Sequence, residues 1–101
     1  MKRFIIAIVL IFSILATNAE TIISGRVVDG DKKSGVGYAT IALLRDSTVV
    51  SAVAARNDGN FSFETKEQGN LLLEVSSVGY TTVKREIKVS GKRVDVGSIA
   101  I

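Results

Sequence analysis

From Thr21 onward the chain alternates. Ile23, Gly25 and Val27 fall on one side of a two-residue repeat, with Ser24, Arg26 and Val28 on the other. Side chains of an extended chain point to opposite faces in turn, so this period is that of a strand with one buried face. The pattern returns in Tyr38–Arg45, where Ala39, Ile41 and Leu43 share a face, and in the β-branched run Thr48–Ala55. It returns again in Phe61–Glu64, with Phe61 and Phe63 on the core side, and in Leu71–Ser76, where Leu71, Leu73 and Val75 oppose Leu72, Glu74 and Ser76. Thr81–Val89 sets Val83, Ile87 and Val89 against Lys84, Glu86 and Lys88, and Val94–Ile101 closes the series.

Turn residues separate these runs. Asp29-Gly30-Asp31 and Ser34-Gly35 mark a loop, Asp46-Ser47 and Gln68-Gly69-Asn70 mark turns, and Ser90-Gly91 precedes the last run. Asn57-Asp58-Gly59-Asn60 is the strongest of these signals, because Asp-Gly suits the positive φ angles of tight hairpins. Seven strands at a spacing of roughly 8–12 residues are the pattern of a sandwich. No window after residue 20 has a helical period. The expected fold is all-β: seven strands in two packed sheets.

The first nineteen residues have a different character. Lys2 and Arg3 precede an uncharged apolar stretch, Phe4–Ala16, and Thr17, Asn18 and Ala19 form a small, polar exit. This is the layout of a helical, cleavable signal peptide. A spanning helix needs ~17–20 apolar residues, more than Phe4–Ala16 supplies. The expected organisation is therefore a signal peptide over 1–19 and one domain over 20–101, exported to the periplasm or outer membrane, with no membrane span in the mature chain. A lipid anchor on a new N-terminal cysteine is excluded, since the sequence has no cysteine. For the same reason the exported domain must hold together by packing, without disulfides.

Composition narrows function. Without Lys2 and Arg3 the net charge falls from +3 to +1, which gives no concentrated basic face for nucleic acid. The one basic cluster, Lys84, Arg85 and Lys88, is interrupted by Glu86 and reads as a solvated strand face. Nucleophilic triads and zinc sites draw on histidine or cysteine, and the chain has neither. The acidic turns lack the spaced ligand series of a calcium loop. No catalytic, cofactor-binding or metal-ligating residue is assigned, and no cofactor is expected.

Sugar stacking would use exposed aromatics. After residue 20 the aromatics are Tyr38, Phe61, Phe63 and Tyr80, and only Tyr38, at the start of a strand, is expected to be partly exposed. Tyr80 follows Gly79 between two apolar runs, where a sandwich changes strand. It reads as a corner residue with its ring buried and its hydroxyl bonded to backbone, in preference to a ligand grip.

The ordered series ISGRVVD (Ile23–Asp29), YATIAL (Tyr38–Leu43), NDGNFSF (Asn57–Phe63), LLLEVSSVGY (Leu71–Tyr80) and VGSIAI (Val96–Ile101) resembles the carboxypeptidase regulatory-like domain. The resemblance covers nearly all of residues 22–101 and implies a seven-stranded, antiparallel Greek-key β-sandwich of transthyretin/immunoglobulin-like type. It also implies a non-catalytic accessory module of the cell envelope, like the N-terminal domain of Bacteroidetes-type TonB-dependent outer-membrane receptors, whether a stand-alone copy or part of a longer chain. Its partners would be proteins of the periplasm or outer membrane. The alternative is a free-standing secreted sandwich that binds carbohydrate or assembles through a sheet edge. Two departures from the family pattern fall in loops: Gly37 stands where a proline is common, and Arg56 where an aspartate usually opens the turn.

The signal-peptide reading has a direct check. Mass spectrometry of the exported protein is expected to find its N-terminus at or near Glu20; an intact Met1 end contradicts it.

Overall fold

Turn chemistry cuts residues 20–101, the part described by the computed structural model, into seven strands. They are β1 (Thr21–Val28), β2 (Thr40–Arg45), β3 (Thr48–Ala54), β4 (Asn60–Thr65), β5 (Gly69–Ser76), β6 (Val83–Val89) and β7 (Arg93–Ala100). One sheet has the order β4-β1-β7 and the other β3-β2-β5-β6. The signal peptide expected over 1–19 lies outside the described residues.

Only two connections join sequential neighbours within one sheet, β2 to β3 and β5 to β6. The β2–β3 link is a two-residue hairpin, with Arg45 opposite Thr48 and both Asp46 (φ 49°) and Ser47 (φ 69°) at positive φ. Those angles let the turn follow the right-handed strand twist. Asn57–Asn60, in contrast, is not a hairpin loop, because β3 and β4 belong to different sheets. The positive φ expected there is present at Gly59 (φ 86°), and it serves to carry the chain across the sandwich. Asp29–Gly35 crosses between sheets in the same way. An Asp-Gly turn supplies a sharp reversal, and the burial of the flanking strands decides which sheet each one joins.

The wholly antiparallel expectation is corrected at one pair. β1 and β7 run parallel, from Ile22 opposite Arg93 to Val28 opposite Ala100. Their register shifts between Ser24 and Arg26, where two residues of β7, Val96 and Gly97, stand opposite Gly25 alone. Every other strand pair is antiparallel.

The core lies between the sheets and follows the two-residue period. Ile23, Val27, Ala39, Ile41, Leu43, Leu71, Leu73, Val75, Val89 and Ile99 are buried, as is Phe61. Phe63 shares the inward face of β4 but sits toward its end and is only partly buried, 6.4 Å from Phe61 between ring centroids. At that end Thr21 is buried with its polar atom satisfied: its hydroxyl donates to the Gly91 carbonyl at 2.6 Å and accepts from Gln68 Nε2 at 3.0 Å. This pair of bonds closes the end where the β4–β5 and β6–β7 links meet the start of β1.

The two phenylalanines separate full from partial burial. Phe61→Ala is expected to lower unfolding free energy by about 3–5 kcal/mol and Phe63→Ala by clearly less. Urea denaturation of both variants checks the order; equal losses contradict the register of β4.

Candidate functional site

At the end opposite Thr21 the chain presents three loops: residues 29–39, residues 55–59 and residues 77–82. The first two are locked together through backbone. Val27 N–H donates to the Gly59 carbonyl at 2.8 Å, and Val36 N–H donates to the Val27 carbonyl at 2.9 Å. Tyr38 N–H reaches the Arg56 carbonyl at 3.3 Å, and Ala55 N–H reaches that of Ala39 at 2.8 Å. A side chain at Gly37 would stand 2.7 Å from the Asn57 carbonyl oxygen, and one at Gly35 would collide with the Asp58 carbonyl. The glycines are what allow these two loops to touch main chain to main chain.

Tyr38 is the residue this lock presents outward. It is 73% exposed and holds φ at 61°, a conformation that costs a bulky residue about 1–2 kcal/mol. The backbone bond from Tyr38 to Arg56 imposes that geometry. Sequence reading anticipated exposure at Tyr38 but had no signal for its backbone angle.

Beyond Tyr38, on the other flank of β2, lies the turn after β5. Tyr80 N–H donates to the Ser77 carbonyl at 3.1 Å, closing a turn with Gly79 at its third position. The φ of Gly79, 88°, is the value a type II turn requires there. This turn leaves Val78 fully exposed at its tip. Sequence reading placed a corner at Gly79 and Tyr80 without singling out Val78 at its tip.

Tyr80 is a fastening, as expected, but to a different partner. Its ring is partly buried against the core, and its hydroxyl donates to Asp29 Oδ2 at 2.9 Å, not to backbone. Asp29 Oδ1 meanwhile accepts the N–H groups of Asp31 and Lys32, each at 2.9 Å. One carboxylate thus organises its own loop and ties it to the opposite sheet. The Lys32 N–H, then the Tyr80 hydroxyl and the Asp31 N–H, hold the Asp29 carboxyl below its ordinary value of 3.8. The same bond to Asp29 holds the Tyr80 hydroxyl above 10.0. Asp58 is lowered likewise, by the N–H and then the side chain of Asn60.

The other charged residues do not converge. Among the described residues no three acidic side chains are placed to hold a metal ion. The basic cluster on β6 is divided: Lys84 lies opposite Glu74, whereas Arg85 turns the other way and donates to the Val96 carbonyl at 3.2 Å. Glu64 is raised above 4.5 by a side-chain hydrogen bond with Glu20, then by the charge of that neighbouring carboxyl, at the start of β1. A depression of about 470 Å³ lies beside Tyr80, floored by Asp29, Gly79 and Ile101. It is open and polar.

Two packed sheets with exposed loops at one end define a β-sandwich. The carboxypeptidase regulatory-like domain family matches residues 22–100, and the chain belongs to it. Two solved structures share the fold. A Klebsiella pneumoniae 5-hydroxyisourate hydrolase superposes with a TM-score of 0.62 at 12% identity, covering 79% of this chain and 90% of that one. A 9R-lipoxygenase from Cyanothece PCC8801 gives 0.58 at 15% identity, covering 81% of this chain but 16% of that much longer one. Among curated proteins no relative matches.

The Asp29–Tyr80 bond makes a pH prediction of definite sign. Asp29 is depressed, so its contribution to stability is present above about pH 4 and fades as pH falls through its lowered value. Tyr80 is raised, so its contribution is full below pH 10.0 and fades as pH climbs through its higher value. In Tyr80→Phe the Asp29 carboxyl, followed by NMR titration, is expected to move back toward 3.8 without reaching it, since two N–H donors remain. An unmoved titration contradicts the bond.

Proposed function

We propose that the protein is a non-catalytic contact module of the cell envelope, used as the N-terminal domains of TonB-dependent outer-membrane receptors are used. The observation that carries this reading is the loop end. Tyr38 stands 73% exposed on a backbone held at positive φ, and Val78 stands fully exposed nearby. Strained, solvent-facing aromatics on rigid supports are a feature of binding surfaces. Family membership supports an accessory role, and the absence of histidine and cysteine from the sequence leaves the common catalytic constellations without their parts. In this role the chain is exported, its partner is a protein of the periplasm or outer membrane, and recognition rests on the shape and apolar surface of the loops.

Site-specific photo-crosslinking in the intact envelope tests it. A photoreactive side chain at position 38 or 78 is expected to give one shared adduct, identified by mass spectrometry as a receptor or import component, and position 88 none. Tyr38→Asn is expected to abolish that adduct from position 78 with no loss of thermal stability, because asparagine tolerates the same φ. Crosslinks spread evenly over all positions, or binding confined to glycans on an array, count against the proposal.

A further inference from the structure

Sheet edges expose unpaired main-chain groups, and proteins blunt them with charges, short strands or irregularities. This sandwich has four edges: β4 and β7 in one sheet, β3 and β6 in the other. Three are blunted. β6 carries Lys84, Arg85, Glu86 and Lys88, while β4 is short and bears Glu64. β7 carries Arg93 and Asp95. The edge strand β3, Thr-Val-Val-Ser-Ala-Val-Ala, has no charge at any of its seven positions.

Its outer surface is also apolar. Val49 is 56% exposed and Val50 37%, and across the sheet Val49 lies opposite Leu44, which lies opposite Leu72. The row becomes charged only at Glu86, on the far strand. In the next row Ala52 lies opposite Ala42, so small side chains leave the main chain of β3 accessible. The one irregularity, a register shift after Leu43, adds Val50 to the outer face beside Val49 and increases the exposed apolar surface.

We infer that β3 is a self-association edge, pairing antiparallel with β3 of a second copy about a two-fold axis at Ala52. Antiparallel partners must face the same side of a sheet, and this axis meets that condition by pairing Ala52 with Ala52, Ser51 with Val53 and Val50 with Ala54. The occupant is a second copy because the strand that pairs here must bring no charge against Val50 and Val53. Among the seven strands only β3 itself is uncharged over its whole length. A net charge near zero after Lys2 and Arg3 are removed also leaves little repulsion between copies. Such a pair continues one sheet from four strands to eight and sets Val50 of each copy against Ala54 of the other. This edge is distinct from the loop end, so the two assignments fail independently.

Sedimentation velocity over a concentration series, with hydrogen exchange on the same samples, is the test. The parent is expected to show a reversible dimer with amides of β3 protected as it forms. Ala52→Lys places two like charges face to face at the axis and is expected to raise the dimer dissociation constant on the order of tenfold or more. Ala52 is solvent-exposed, so melting of this variant at dilution should match the parent. Val78→Lys, at the loop end, is expected to leave the dimer intact. A parent that stays monomeric at every concentration overturns the inference and leaves the edge to a strand from another protein. A dimer that survives Ala52→Lys, or that protects β6 or β7 amides instead, overturns it equally.

Discussion

Backbone contact between the 29–39 loop and the Asn57–Gly59 turn is the interaction on which the rest of the sandwich depends. Val27 in one sheet, and Ala39 and Ala55, which flank β2 and β3 of the other, are bonded through it within a few residues of each other. The approach requires the bare Cα atoms of Gly35 and Gly37, and Gly59 both needs positive φ and lies against the Val27 carbonyl. With these contacts formed, β2 and β4 start at fixed heights, and the inward faces of all strands meet in register.

The loop end inherits its geometry from that lock. Tyr38 is held in an unfavourable backbone conformation because its N–H is already committed to Arg56, not because its ring packs anywhere. Asp29 acts as a second, side-chain fastening, linking the end of β1 to the turn after β5. The 77–82 turn is therefore tied at its base through Tyr80 while its tip, Val78, stands in water. Rigid base and exposed tip together distinguish a presented loop from a merely solvated one.

Much of the core was legible in the sequence because burial in a two-layer fold depends on parity. Once Ile23, Ile41 and Leu73 were placed inward, the two-residue period placed Val27, Leu43 and Val75 as well, and all six are buried. Sheet membership was not legible. A tight turn looks the same whether the next strand pairs with the previous one or crosses to the other layer, as the contrast of Asp46-Ser47 with Asp58-Gly59 shows. The parallel β1–β7 pair was equally hidden, since it depends on where the intervening strands leave room. At the candidate site, the glycine before Tyr80 signalled a corner. The partner of Tyr80 did not show, because Asp29 lies 51 residues earlier and nothing local links them.

The parallel alignment of β1 and β7 has a mechanical consequence. Thr21 begins β1 at one end of the sandwich, and Ile101 follows β7 at the other, bonded to Val28 and Gly30. A pull applied at these two points runs along both strands in opposite senses, so it loads the rungs from Ile22–Arg93 to Val28–Ala100 in shear. Sheared rungs share the load and yield together, whereas a hairpin pulled open at one end yields rung by rung. Tension between these two points therefore meets every rung of one strand pair at once.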